Sequence, residues 1–216
     1  MAMKSAMAVF FAAIFLLVGC SLPGARPQAI SHYVLEVPEV PAAQTANATD
    51  ANAKKPVLLL REAEPSGFSQ TTRLIFSRTP GTRALYQYAN WVEPPSKRLH
   101  TLIRERLLAS GLYAGVAPLG AGVQGDYQLN FRLLDFFHNA TQTPGLAQIK
   151  LEAELVQRGS ARLISQRIFV AEVPIARQDA ATAVVGLGQA SGQVLDAMVE
   201  WVAKVQPSAV AQTQAR

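Results

Sequence analysis

The stretch Tyr127-Gln128-Leu129-Asn130-Phe131-Arg132-Leu133-Leu134 alternates apolar and polar side chains until the doubled leucine. Successive side chains of a strand point to opposite faces, so this pattern predicts a strand with one face buried and a slip in its alternation at Leu134. Ile149, Leu151, Ala153 and Leu155 repeat the pattern against Lys150, Glu152 and Glu154. Gly159-Ser160 then turns the chain into Leu163 to Val173, an antiparallel partner.

Downstream, Asp179 has the chemistry of an N-cap, and Ala183, Leu187, Ala190, Val194, Ala197, Trp201 and Val205 recur at intervals of three and four. That is a helix. Upstream, Leu99, Leu102, Ile103 and Leu107 follow Pro94-Pro95 and precede Gly111, which predicts a second helix from near Pro95 to Ser110. Before it, Arg73 to Ser77 and Ala84 to Tyr88 flank Thr79-Pro80-Gly81-Thr82, whose Pro and Gly suit a type II turn, so these segments form a hairpin. Val57 to Leu60 is a continuous apolar run, expected as a strand buried on both faces, and Tyr33 to Val37 is a short strand closed by Pro38. The order strands, helix, strands, helix predicts an α+β fold: a largely antiparallel β-sheet with two main α-helices packed on one face.

The chain has 216 residues, 50% hydrophobic and 16% charged, with one Cys. A single thiol excludes a disulfide framework and any multi-cysteine metal site. Lys4 and Ser5 precede thirteen apolar residues, Ala6 to Val18. Thirteen is short of the roughly 17 to 25 that span a bilayer. It fits the apolar part of an export signal. Leu17-Val18-Gly19-Cys20 follows, a lipobox pattern that resembles bacterial lipoprotein signals, with cleavage between Gly19 and Cys20 and a diacylglyceryl group on the sulfur. A thiolate is the side-chain nucleophile suited to accept that lipid. The expected organisation is a signal peptide at 1–19, a lipidated Cys20 and tether at 20–30, one domain at 31–206 and a tail at 207–216. Within the domain, 38–55 has one large apolar residue, Val40, and reads as an excursion between strands. Ser21 in place of Asp, by resemblance to enterobacterial sorting rules, favours the outer membrane.

Catalytic signals are missing from the sequence. His32, His100 and His138 fall on a strand start, a helix and a loop, without metal-ligand spacing, and no Asp sits in a recognisable catalytic motif. The expectation is no catalytic residue, no metal and no cofactor beyond the lipids on Cys20. Val184-Val185-Gly186-Leu187-Gly188-Gln189-Ala190-Ser191-Gly192 imitates a Gly-rich nucleotide loop, but only 24 residues follow, too few for the rest of such a fold. Small residues that let a helix approach its neighbour closely explain it better. From Arg73 to Arg106, seven basic residues face Glu93 and Glu105, a net of +5. The plain reading is a solvated face; the functional one is a patch for anionic headgroups or an acidic partner. Nucleic acid is not expected, since export removes the chain from it and no basic–aromatic motif is present. Simple alternation places Tyr86 and Tyr88 on one face, as candidate partner-binding residues, and Trp91 with Leu85 on the other, with Trp91 expected in the core.

The run Arg73 to Gly81, the run Tyr86 to Leu99 with its Trp91-Val92-Glu93-Pro94-Pro95, and Leu107 to Tyr113 together resemble the ABC-type transport auxiliary lipoprotein family, whose best-known type is the PqiC-like lipoproteins. The resemblance extends from Tyr33 to Val205; the insertion at 38–55 and His32, where a second aromatic is common, depart from it. It implies a non-enzymatic lipoprotein at the periplasmic face of the outer membrane, carrying a diacylglycerol and an N-acyl chain on Cys20. Its implied partners are an MCE-domain protein and an inner-membrane ABC permease and ATPase, which move phospholipid or other apolar molecules between membranes. A monomer and a homo-oligomeric ring around the partner both stay open. The alternative is a structural cell-envelope or outer-membrane assembly lipoprotein that acts without a transporter.

Overall fold

The computed structural model describes residues 28–38, 55–64 and 67–206. The rest of the sheet hangs on one long strand, the alternating stretch of Tyr127 to Asn139. Numbered along the chain, the strands are β1 (Ser31–Tyr33), β2 (Val57–Glu62), β3 (Arg73–Ser77), β4 (Ala84–Trp91), β5 (Gly115–Pro118), β6 (Tyr127–Asn139), β7 (Gly145–Gln157) and β8 (Arg162–Ile175). The helices are α1 (Pro95–Ala109) and α2 (Ala180–Val205).

On one side β6 pairs antiparallel with β7 along its whole length, and β7 pairs with β8 in the same way, so the three alternating segments form the expected meander. The other side of β6 is divided. β2 runs parallel to its first half, from Leu58 opposite Tyr127 to Glu62 opposite Phe131. β3 joins, also parallel, only at its end, where Phe76 faces His138 and Ser77 faces Asn139. β5 extends the first branch beyond β2, while β4 and then β1 extend the second beyond β3. The class is α+β as anticipated, and the sheet is mixed: three antiparallel ladders, two of them long, are joined by four short parallel ones.

The slip at Leu134 is a β-bulge. Leu133 faces Leu151 and Asp135 faces Lys150, so one residue of β6 has no opposite number. Before the bulge the odd-numbered side chains point to the helices; after it the even-numbered ones do, which carries Phe136 and His138 inward opposite Ile149 and Ala147.

Both helices cover that inner face. α1 begins with Pro95 at its first position and is followed by Gly111 at φ +68°, a left-handed conformation that glycine adopts without strain. Its stripe Leu99, Leu102, Ile103 and Leu107 is buried against the branch of β2 and β5. α2 is capped by Asp179, whose Oδ1 accepts a hydrogen bond from the Thr182 amide at 2.8 Å, and its buried stripe from Ala183 to Trp201 lies on β7 and β8. Leu58 and Leu60 join this core, whereas Leu59 is buried on the opposite face beside Gly125, so β2 is enclosed on both sides as its apolar run requires.

Two local expectations change. The first strand stops at Tyr33, not Val37, because the chain then leaves β4 and crosses α2. A Cβ on Gly188 would land on the Glu36 carbonyl oxygen, and one on Gly192 would sit 3.2 Å from Cγ1 of Val37. The nucleotide-loop imitation is therefore the interior of a helix whose small residues admit a crossing chain, as the sequence suggested. β5 has no counterpart in the sequence reading: four residues bounded by Gly115 and Pro118 carry too little pattern to announce a strand.

Candidate functional site

Tyr86 and His138 meet in the interior. The Tyr86 hydroxyl lies 2.6 Å from Nδ1 of His138, and the Tyr86 ring packs on Phe76 with centroids 4.8 Å apart. His138 is only 1% exposed, on a strand and not in a loop as its position had suggested, because the bulge at Leu134 turns it inward. Burial drives the imidazole pKa down, the nearby Arg78 charge adds to this, and Asp179 opposes it. The neutral ring and the phenol share one hydrogen bond at Nδ1, while Nε2 is buried without a partner among the described residues. Burial, with Asp179 adding, pushes the Tyr86 hydroxyl up to about 12, so it remains protonated. This pair is structural, and Tyr86 does not share the outer surface with Tyr88.

The reason lies in the register of the hairpin. Ile75 faces Leu85 but Arg73 faces Asn90, so two steps along β3 correspond to five along β4. The alternation inverts between them: Leu85 faces out, while Tyr86 and Trp91 both turn to the core, Trp91 at 2% exposed against Phe136. The burial of Trp91 agrees with the sequence reading; its grouping with Leu85 does not. Tyr88 keeps 37% of its surface in solvent.

The basic span from Arg73 to Arg106 is largely occupied within the domain. Arg73 donates to the Tyr86 carbonyl, Arg98 to the Leu35 carbonyl at 3.2 Å and Arg104 to the Val116 carbonyl at 3.2 Å. Arg83 pairs with Asp135 at 2.8 Å and lies over the Phe137 ring, and Arg106 reaches Asp196 on α2 at 3.2 Å. These bonds tie the side chains into the fold, while Arg78, Arg83, Lys97 and Arg104 stay exposed.

Two clefts flank the divided side of β6. One, of about 180 Å³, lies in the fork between the branches and is lined by Phe68, Ile75, Leu133 and Phe136, with the Arg83–Asp135 pair at its polar side. The other, of about 210 Å³, is polar and lies on the sheet face away from the helices, among Arg61, Glu64, Asn130, Arg132 and Glu154. There the Arg132 guanidinium donates to Glu152 at 2.5 Å and holds that carboxyl below the usual carboxylate range. His100 lies near Phe131, and its pKa is lowered chiefly by burial. Among the described residues no group of three or more His, Cys, Asp or Glu could hold a metal ion, and no helix is long and apolar enough to cross a membrane.

Gly19 and Cys20 lie outside the described residues, as do most of the 20–30 tether, 39–54 and the 207–216 tail. Of the sequence-derived candidates, the structure places Tyr86 half-buried against the core and Tyr88 at the surface. The Tyr86–His138 pair was missed, although carrying the alternation past the slip at Leu134 puts Phe136 and His138 on the inner face.

The fold has solved counterparts. XCC0632 from Xanthomonas campestris superposes with a TM-score of 0.68 at 23% identity, over 86% of this chain and 99% of that one. An uncharacterized protein superposes with a TM-score of 0.61 at 16% identity, over 81% and 99%. At such identities the likeness concerns the fold. No curated protein matches the chain. The family model of the ABC-type transport auxiliary lipoprotein component matches residues 33–199, from the end of β1 almost to the end of α2, including the Trp91-Val92-Glu93-Pro94-Pro95 entry to α1. With well over half its length matched, the chain belongs to the ABC-type transport auxiliary lipoprotein family.

Proposed function

We propose that this chain is a non-enzymatic, lipid-anchored subunit on the periplasmic face of the outer membrane, serving an MCE-type intermembrane transport system for phospholipid or another apolar cargo. The family match over residues 33–199, downstream of Leu17-Val18-Gly19-Cys20, carries the reading. In it, the Cys20 sulfur holds a diacylglycerol and the new amino terminus an acyl chain, because a single acyl chain anchors only marginally and stable anchoring takes a second attachment. An inner-membrane ABC permease and its ATPase supply the energy, and this domain binds and bridges. The Tyr86–His138 pair and the arginine bonds to the Tyr86, Leu35 and Val116 carbonyls support a scaffold that uses these polar groups for its own packing.

Crosslinking in intact cells followed by purification through this chain tests the reading. Recovery of an MCE-domain protein with its permease is expected. An otherwise stable chain that captures no MCE or permease subunit overturns it in favour of an envelope protein acting without a transporter. Cys20→Ala is expected to leave the chain unlipidated and to abolish function; full complementation by that variant removes the anchor from the mechanism.

A further inference from the structure

We infer that the outer face of the β1–β4 edge is a membrane-contact surface, on which the domain rests against the lipid headgroup and upper acyl region of the bilayer that holds its anchor. The inference rests on the proposed lipidation of Cys20.

Three observations converge on this edge. The register Ser31 opposite Ala89, His32 opposite Asn90 and Tyr33 opposite Trp91 puts the half-buried Tyr33 on the core side with Ala89 and Trp91, while Ser31 at the strand's start stays exposed. The even-numbered neighbours face outward: Ile30 at 51% exposed and Val34 at 48% flank the exposed His32, and Val92 at 60% and Tyr88 flank the half-buried Asn90, so four large apolar or aromatic side chains surround one polar pair. Val92 is fixed there because its amide donates to the Tyr33 carbonyl at 2.8 Å. A tyrosine among aliphatic side chains is the composition that settles at a bilayer interface, with the ring in the apolar layer and the hydroxyl at headgroup level.

The second observation is the position of the anchor in the sequence. Gln28, where the described chain begins to lead into β1, lies eight positions after Cys20. Fully extended, that many residues reach at most about 28 Å. A domain of this size is roughly 40 Å across. The edge at which the tether enters therefore cannot turn to the far side of the domain, and β1 must stay near the lipid. Third, β1 is the terminal strand of its branch, at the opposite margin of the sheet from β8. Seating it on the bilayer covers an otherwise exposed strand edge. Tethering also keeps the local lipid concentration high, so a patch of four side chains can engage without high intrinsic affinity.

The test uses the full lipidated chain in vesicles of phosphatidylethanolamine and phosphatidylglycerol. With the Cys20 sulfur consumed by lipid, an engineered cysteine is the only free thiol and takes a nitroxide label. At Val92→Cys the label is expected to lose collisions with a water-soluble nickel chelate and gain them with oxygen, relative to the same label on unlipidated Cys20→Ala protein in solution. At Val170→Cys, 55% exposed on β8, the chelate is expected to keep its access. If mass spectrometry finds the lipid on Cys20 but the Val92 label stays open to the chelate, the contact surface is wrong while the anchor stands. Shielding at Val92 that appears only when periplasmic proteins are added makes this a protein-docking face and overturns the membrane assignment. Equal shielding at Val170 overturns the edge-on seating. A chain without lipid on Cys20 refutes the anchor and this inference with it.

Discussion

His138 and Gly145 stand against each other across the β6–β7 turn: a Cβ built on Gly145 would lie 2.8 Å from Nε2 of His138. With Tyr86 on its other nitrogen, the imidazole is walled in, and a proton added there has no solvent to receive its charge.

Stability is therefore expected to fall with acidity in the histidine range. The folded imidazoles of His138 and His100 have pKa values below the ordinary 6.5, in both cases first because of burial. Below about pH 6.5 the unfolded chain takes up protons that the folded one refuses, so stability present at pH 7.5 is lost as the pH drops toward 5. Melting temperatures across that range check this, and His138→Gln should flatten part of the slope. A melting temperature constant or rising toward pH 5 contradicts it.

Gly188→Ala should destabilise the domain although alanine is the better helix former. The gain in helix propensity is about 1 kcal/mol. Against it stands a methyl group on the Glu36 carbonyl, a backbone atom that cannot swing aside, and overpacking of this kind costs about 1–3 kcal/mol. Gly192→Ala meets only the Val37 side chain at 3.2 Å and should be neutral or stabilising. Urea midpoints of the two variants, taken side by side, decide the matter; equal behaviour would mean that the 34–38 crossing is not seated as described.

Trp91→Ala should cost about 3–5 kcal/mol, the range for deleting a large buried aromatic ring. Tyr88→Ala, three residues away and partly in solvent, should stay within about 0.5 kcal/mol. Denaturant titration separates them, and a mild Trp91 variant would place that ring outside the core.

Arg98→Ala and Arg104→Ala are each expected to lower stability by about 0.5–1.5 kcal/mol, through loss of the bonds to the Leu35 and Val116 carbonyls. Unfolding titrations check this; two variants as stable as the parent would return the basic span to the role of a free patch.

What the sequence disclosed was what its local chemistry encodes. Alternation announced β6, β7 and β8, Pro80-Gly81 announced the hairpin, and Asp179 the start of α2. Even the bulge was legible, because a second leucine at 134 breaks a pattern set by seven residues before it. The inversion within β4 was not, since Tyr86-Gln87-Tyr88-Ala89 gives no corresponding sign, and Leu85 was therefore grouped with Trp91. The end of β1 and the existence of β5 depend on partners distant in the chain: Glu36 on Gly188, Val116 opposite Leu58. The bonds made by the basic span were hidden for the same reason, because the carbonyls and carboxylates that meet it come from residues up to 90 positions away, as Asp196 does for Arg106. A one-dimensional charge count cannot see them.

The divided side of β6 constrains the order in which the chain can mature. β2 has β5 and β3 has β4 before β6 is reached, but the two branches find the strand that joins them only there. Pairings so far apart close long loops and form slowly. A chain emerging amino end first thus holds two separate branches, β2 with β5 and β1 with β4 and β3, unjoined until Tyr127–Asn139 arrives, and β7 and β8, joined to it by tight connections, can zip on at once. The late half of the molecule serves as the mould on which the two early branches meet.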